Sequence, residues 1–406
     1  MVKVRQRLVE SSLEDPAWKL GINLDKAWQG QLFKPGSRVA VAVGSRRIEG
    51  LAELVGLLVH RLQSAGCHPF IVPAMGSHGG ATPEGQIELL ARMGVSEGSC
   101  GAPVLSSPAT VSIGVTHGGA EVFVGKEALD SDAIVVINRV APHTGYDGPV
   151  QSGIQKMLAV GLGKWDGAAS LHRHGFGSPH LIGQAAELVI EKAPVALGVA
   201  LVEDGLRRLS RVEVLGREDV RQREPGLLEE ATSMLPRLPV PWADLLVVDE
   251  IGKDISGTGM DTNIIGRGKL FARGNPPFSA ERIVALSLTL ASGGNATGVG
   301  LADVITRRLQ GAMDIETTYK NVLTSGALER ARIPVVAEND RVAIALAIES
   351  IGVEHRTARV VRIKNTRELA ELQVSESLAE ELAWRDNIML LGRGEEMRFD
   401  GEGSSI

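Results

Sequence analysis

Aromatic side chains are scarce in this chain of 406 residues, at 3% of the total. Base-stacking platforms need such rings, so their shortage argues against nucleic-acid recognition. An excess of positive charge is also missing. The 43 Lys and Arg are outnumbered by 49 Asp and Glu, a formal net charge of −6, whereas a nucleic-acid partner calls for a basic face. Cysteine is nearly absent. Cys67 and Cys100 stand in no metal or redox spacing, which excludes a disulfide framework and predicts a reducing, cytoplasmic setting. Long apolar runs are lacking too. Residues 57–59 and 134–137 are far too short to cross a bilayer, and the longer stretch 193–202 is interrupted by Pro194 and Gly198, so no membrane partner is expected. Lys3, Arg5 and Arg7 have no apolar segment behind them, which predicts no signal peptide. The chain has no phosphate-binding P-loop, no Gly-x-Gly-x-x-Gly after its first strand, no His-Glu-x-x-His and no Gly-x-Ser-x-Gly. The usual nucleotide, metalloprotease and serine-hydrolase readings therefore lack their local sequence.

What is present is an ordinary globular composition, 44% hydrophobic and 23% charged, long enough for two domains. Strand-like apolar runs alternate with amphipathic helices. Residues 39–43 read as a strand, and Ile48, Leu51, Leu54, Val55, Leu58, Val59 and Leu62 recur at helical spacing behind it. Residues 69–73 form the next strand, followed by the glycine-rich stretch 75–80. Thr82, Pro83 and Glu84 carry three helix-start signals, and residues 132–137 read as a third strand. Beyond Pro236, Pro239 and Pro241, residues 245–248 and 283–286 look like buried strands, while 301–309 and 342–351 look like helices. The expected fold is therefore α/β, with two domains of largely parallel sheet, residues 1–238 and 242–406, and an active-site cleft between them.

In an open parallel sheet the carboxyl ends of the strands share one edge, and ligands bind beyond it. Arg46 and Arg47 follow the first strand of the N-terminal domain, His78 the second and His143 the third. An arginine fork suits a carboxylate, and histidines suit proton transfer near neutral pH. Lys156 stands alone beside the apolar residues 157–160. Poor solvation there lowers a lysine's basicity and makes it a better nucleophile or attachment point. His172 and His174 are candidate metal ligands. In the C-terminal domain the polar, glycine-rich run 252–267 offers Lys253 and Arg267 as anion or hydroxyl contacts.

The order Pro142-His143, Ser152-Gly153, Lys156 and His172, together with Gly76-Ser77-His78, resembles the nickel-dependent lactate racemase family. His172 follows Lys156 by sixteen positions, as in that family. The resemblance implies a nickel-pincer nucleotide joined covalently to Lys156, beside Ser152 and Gly153. It implies His172 as the protein's ligand to nickel, His78 and His143 as the acid/base pair, and Arg46 or Arg47 on the substrate carboxylate. The reaction expected is racemisation or epimerisation of a small-molecule 2-hydroxy acid by hydride transfer. This sequence departs from the family in having Gly79 where an arginine follows the first histidine, and 44–47 in place of an Asp-x-Thr-Arg loop. Those departures suggest a substrate larger than lactate, such as a sugar acid, with Gly79 opening space. The alternatives are a zinc-dependent hydrolase using His172 and His174, which needs a third ligand and an open water position, and a non-catalytic two-lobed binding protein.

Overall fold

The structure is a computed structural model and describes residues 1–28, 32–145, 147–174, 180–268 and 276–406. The chain divides into two compact units, Glu10–Leu235 and Met1–Val9 with Pro236–Ile406. The break falls at the head of the Pro-rich stretch. The beginning of the chain departs from an N-terminal unit that starts at residue 1. Strand β1 (Val2–Gln6) alternates buried and exposed residues and pairs antiparallel with two strands of the C-terminal unit. Its inward-facing Gln6 donates to the carbonyls of Leu369, at 2.7 Å, and Arg237, which ties the segment down where no apolar side chain is available.

The unit Glu10–Leu235 is built on a five-stranded sheet. Its strands are β2 (Arg38–Val43), β3 (His68–Pro73), β6 (Ala133–Arg139), β7 (Val195–Glu203) and β8 (Leu209–Gly216). They lie in the order β3-β2-β6-β7-β8, and only β8 runs antiparallel to its neighbour. A separate hairpin joins β4 (Thr110–Val115) to β5 (Glu121–Gly125). The period-2 alternation of β2 sorts its side chains by size. Val39, Val41 and Val43 pack with Leu51, Leu54, Val55, Leu58 and Leu62 of the Leu51–Ser64 helix. Ala40 and Ala42 face the other layer, with Ile154, Leu158 and Leu171. Small residues on that face let a helix approach the sheet closely.

The other unit holds an eight-stranded sheet in the order β12-β11-β10-β9-β13-β14-β1-β15. Its strands are β9 (Trp242–Ile251), β10 (Ser279–Leu288), β11 (Val304–Thr306), β12 (Val335–Ala337), β13 (Val360–Ile363), β14 (Glu371–Val374) and β15 (Ile388–Leu390). The five from β12 to β13 are mutually parallel, and the last three are antiparallel. Residues 301–309 correct a sequence expectation. They are not one helix, because β-branched Val304, Ile305 and Thr306 form β11. A helix begins only at Arg307, capped by Thr306, whose Oγ1 accepts the Leu309 N–H. Among the described residues no helix is long and apolar enough to cross a membrane.

Candidate active site

Parallel pairing brings the ends of three strands to one level, since Val43 lies opposite both Pro73 and Ile137. The chain runs from β2 outward to β3 on one side, then returns to place β6 on the other. The crevice between the carboxyl ends of β2 and β6 is therefore the point where strand order reverses, the usual ligand position in such sheets. Gly44 stands there. A Cβ on it would come 2.7 Å from Asn138 Oδ1 and 3.1 Å from Met157 Sδ, so any larger residue has to push those two side-chain ends aside where the Lys156 segment docks. Beyond Gly44, Arg46 is half-buried and Arg47 exposed. Arg46 is near enough to Lys156 to lower its basicity, so it is Arg46 that faces the crevice.

Lys156 ends the short Ile154–Lys156 helix, which continues as a π-helix over Met157–Gly161. Only part of the side chain is hidden by area, but the amine itself is wholly enclosed. Burial first, and the positive charge of Arg46 second, bring its pKa down to about 7. The start of the helix is held by a residue that sequence reasoning missed. Glu224, 2% exposed, accepts the backbone N–H groups of Gln155, at 2.9 Å, and Ile154. It caps this helix from another element, since Gly153 has no side chain to do so. A Cβ on Gly153 would lie 2.2 Å from Glu224 Oε1. Burial raises the Glu224 carboxyl to about 7 against the opposing effect of those two donors. Nothing in the charged run around it marks Glu224 as inward-facing except its helical phase with Leu227, Leu228 and Ala231.

His78 sits in the turn after β3. The hydroxyl of Ser45 lies 2.5 Å from its Nδ1, which joins the first two strand-end loops. Gln86, buried at 3%, reaches back from the Pro83–Arg92 helix to the carbonyls of Gly76 and His78. Gly76 donates to the carbonyl of Gly161, so this turn also rests on the π-helix. Gly79 corrects an expectation. It has φ +64°, and its Cβ would meet the backbone of Gly85 and Gln86 at 2.7 Å. The missing side chain thus relieves a clash with the following helix rather than opening room beside His78.

His143 follows β6 in a loop closed by a two-way backbone bridge between Ala141 and Ser152. Its own N–H donates to Gln151 Oε1 at 2.6 Å, and the N–H of Gly145 donates to its ring Nδ1 at 2.9 Å. His172 lies on the Lys164–Arg173 helix, one turn beyond Ala168, the residue nearest Gly76. Positions four apart share a helix face, so His172 belongs to the face turned to the His78 loop. His174 caps that helix, with its Nδ1 at the carbonyl of Ser170. Two positions apart on a helix point away from one another, so the pair does not form a joint metal site. Among the described residues no group of three His, Cys, Asp or Glu is placed to hold a metal. The zinc reading loses its geometry on both counts.

Lys164 is a second buried lysine that the sequence left unremarked. It adopts φ +53°, a left-handed conformation rare for a side-chain-bearing residue. Its ammonium donates to the carbonyl of Pro73, at 3.0 Å, and to Glu127, at 2.9 Å. It therefore fastens the root of the His172 helix to the end of β3.

The two residues expected from the 252–267 run lie in the other unit. Lys253 donates from its ammonium to the carbonyl of Gly257, at 2.7 Å, and to Asn321. Arg267 pairs with Asp303 at 2.5 Å and donates to the carbonyls of Leu301, Ala280 and Glu281. Its guanidinium is committed to its own fold.

Residues 4–177 match the family model described as the lactate racemase N-terminal domain. A search of curated proteins finds no significant relative. Among solved structures, the chain is similar to the lactate racemase apoprotein from Thermoanaerobacterium thermosaccharolyticum. The TM-score is 0.56 at 12% identity, over 90% of this chain and 94% of that one. It is also similar to a Thermotoga maritima protein solved by a structural genomics consortium. There the TM-score is 0.50 at 17% identity, over 69% of this chain and 72% of that one. At such identities the structural likeness speaks for the fold.

Proposed function

We propose, on the match of residues 4–177 to the lactate racemase N-terminal domain, that this chain is an isomerase that interconverts the stereoisomers of a 2-hydroxy acid. The observation that carries this reading is the crevice between β2 and β6. There Arg46 stands beside an enclosed amine, Lys156, whose pKa is brought down to about 7. The loops bearing His78 and His143 arise at the same sheet edge. A lysine that is largely neutral near physiological pH suits covalent attachment, and one arginine suits a carboxylate.

These residues fit a nickel-pincer nucleotide. Lys156 would hold it covalently, Ser152 and Gly153 would flank it, and His172 would supply the protein's nickel ligand. When bound, the group supplies hydride acceptance and return at the hydroxyl-bearing carbon. The protein's share is to grip the carboxylate with Arg46 and handle the hydroxyl proton with His78 and His143. The length of the acid is open in both directions, since Gly79 gives no extra room and Lys253 and Arg267 of the 252–267 run are bound to residues of their own unit.

Two measurements test the proposal together. Protein produced with nickel and the pincer nucleotide gains a covalent mass adduct, and Lys156→Ala does not. The same protein exchanges the configuration of at least one member of a 2-hydroxy acid panel running from lactate to sugar acids. Wild-type protein that takes up no adduct and isomerises no panel member overturns the reading.

A further inference from the structure

Lys156 stands on very little structure of its own. The helix that carries it, Ile154–Lys156, is three residues long and passes straight into a π-helix, and a single turn does not hold its own shape. Its place is set from outside. The Ala141–Ser152 bridge fixes the chain just before it, and Asn138 of β6 donates to the carbonyl of Gly153 at 3.2 Å. Glu224 accepts the N–H groups of Gln155 and Ile154. Glu224 comes from the Val220–Met234 helix, which packing ties to the same spot. A Cβ on Gly198 of β7 would lie 3.0 Å from Ile154 and 3.4 Å from Val220, so both side chains rest on one glycine of the sheet, and Val220 is one helical turn from Glu224. The arginines on either side of this position turn elsewhere, Arg223 to Glu213 and Arg221 to Glu187. The buried carboxyl serves backbone amides.

We infer that Glu224 is a positioning residue for Lys156, setting through the amides of Ile154 and Gln155 the place from which the amine reaches the Arg46 side of the crevice. This rests on the proposed role of Lys156 as the cofactor's attachment point. A cap normally comes from the residue before the helix. Here that residue is Gly153, whose Cβ would lie 2.2 Å from Glu224 Oε1, so a side chain at 153 and the carboxylate exclude each other. Ile154 is wholly buried and Gln155 is 2% exposed. Releasing their two N–H groups there obliges the turn to shift until they find other acceptors. Lys156 is the next residue and shifts with them, out of the enclosure that lowers its basicity.

The test is the pH midpoint of Lys156 acylation in the full-length apoprotein, read by peptide mass after brief exposure to acetic anhydride, with exposed Lys126 as internal standard. The wild-type midpoint is expected at about 7. It should rise by about one pH unit or more in Glu224→Ala, and in Glu224→Gln, which keeps the shape but sets an NH2 against one of the amides. Adding Gly153→Ser to Glu224→Ala restores a cap from the ordinary position, since Gly153 is extended at φ 171° and ψ −157°, and should bring the midpoint back to the wild-type value. Gly153→Ala alone crowds the carboxylate off the amides and gives the same rise should Glu224→Ala not fold. A lost packing contact would lower Tm without moving the midpoint of the folded protein. A midpoint unmoved in Glu224→Gln, or one that Gly153→Ser does not restore, overturns the inference. In cofactor-loaded protein, Glu224→Gln is expected to lose about 10- to 100-fold in kcat with KM little changed, because Arg46 still grips the carboxylate. Should the wild type isomerise no 2-hydroxy acid while the midpoint follows Glu224 as described, the proposed reaction fails and the positioning role stands.

Discussion

The carboxyl edges of the two sheets are built alike and charged differently. Each is an edge of parallel strands followed by glycine-rich loops. In the C-terminal unit the cations at this edge end on oxygens: Lys253 on Gly257 and Asn321, and Arg362 on Asp249 at 2.8 Å. Thr289 and Ser292 close on Asp254. In the unit Glu10–Leu235 Lys164 likewise ends on Pro73 and Glu127, and Arg139 on Glu203, but two buried groups stand apart. Lys156 has a cation, Arg46, for a neighbour, and Glu224 is held by backbone amides rather than by a positive side chain. Both pay in desolvation for being inside. The same architecture thus makes one edge that settles its charges and one that keeps them under tension, and perturbed groups of the second kind gather where chemistry is done.

The largest expected effect follows from Lys156. Its folded pKa, about 7, lies below the ordinary lysine value of 10.5. The unfolded chain therefore binds more protons between those two values, and stability rises with pH across that window. Lys156→Met removes the penalty. The apoprotein should gain about 4 kcal/mol at pH 6 and almost nothing at pH 10.5, as read from urea unfolding at the two pH values. A loss of stability at pH 6 would erase the contrast between the edges. Glu224 has the opposite sign. Its folded pKa of about 7 lies above the ordinary carboxyl value of 4.5, so the folded state holds its proton longer and stability falls as pH rises from 4.5 to 7. Glu224→Gln should flatten that fall by about 3 kcal/mol, seen as a smaller drop in Tm between those two pH values.

Much of this edge was legible in the sequence. Apolar runs marked β2, β3 and β6, and the isolation of Lys156 among apolar neighbours foretold its enclosure. The register of the arginines was not legible, because Arg46 and Arg47 are alike until burial separates them. Glu224 and Lys164 escaped for a related reason. Each acts on a segment distant in sequence, Glu224 on residues 154 and 155 and Lys164 on Pro73, and no local spacing encodes such a contact. Gly79 was misread because a glycine's absent side chain has no direction until φ is known. Residues 301–309 show periodicity losing to β-branching over a segment too short for either to dominate.

At the opposite end of the C-terminal sheet, where Arg267 meets Asp303 at the starts of β10 and β11, the effect should be smaller and indifferent to pH. Arg267→Met leaves Asp303 without its cation and strips donors from three carbonyls. With both side chains about one-third exposed, the loss should be about 2 kcal/mol, the same at pH 6 and pH 8. A strong pH dependence would mean that the C-terminal unit too holds a charge under tension.

The finest comparison uses one residue type in one role at both edges. Thr82 caps the helix behind His78, accepting the Gly85 N–H at 3.1 Å in an exposed setting. Thr306 caps the helix after β11 with no exposure, and its hydroxyl also donates to the carbonyl of Leu286 at 2.5 Å. Loss of an exposed cap costs about 1 kcal/mol because water takes over the released N–H. Loss of the buried one also leaves a carbonyl without its donor where water does not reach. Thr306→Ala should therefore exceed Thr82→Ala by about 1 kcal/mol in apoprotein unfolding. Only Thr82→Ala should alter the rate at which Lys156 is acylated, since its cap anchors the turn that leans on Gly161. Equal acylation rates in the two variants would show that the His78 turn and the Lys156 helix move independently.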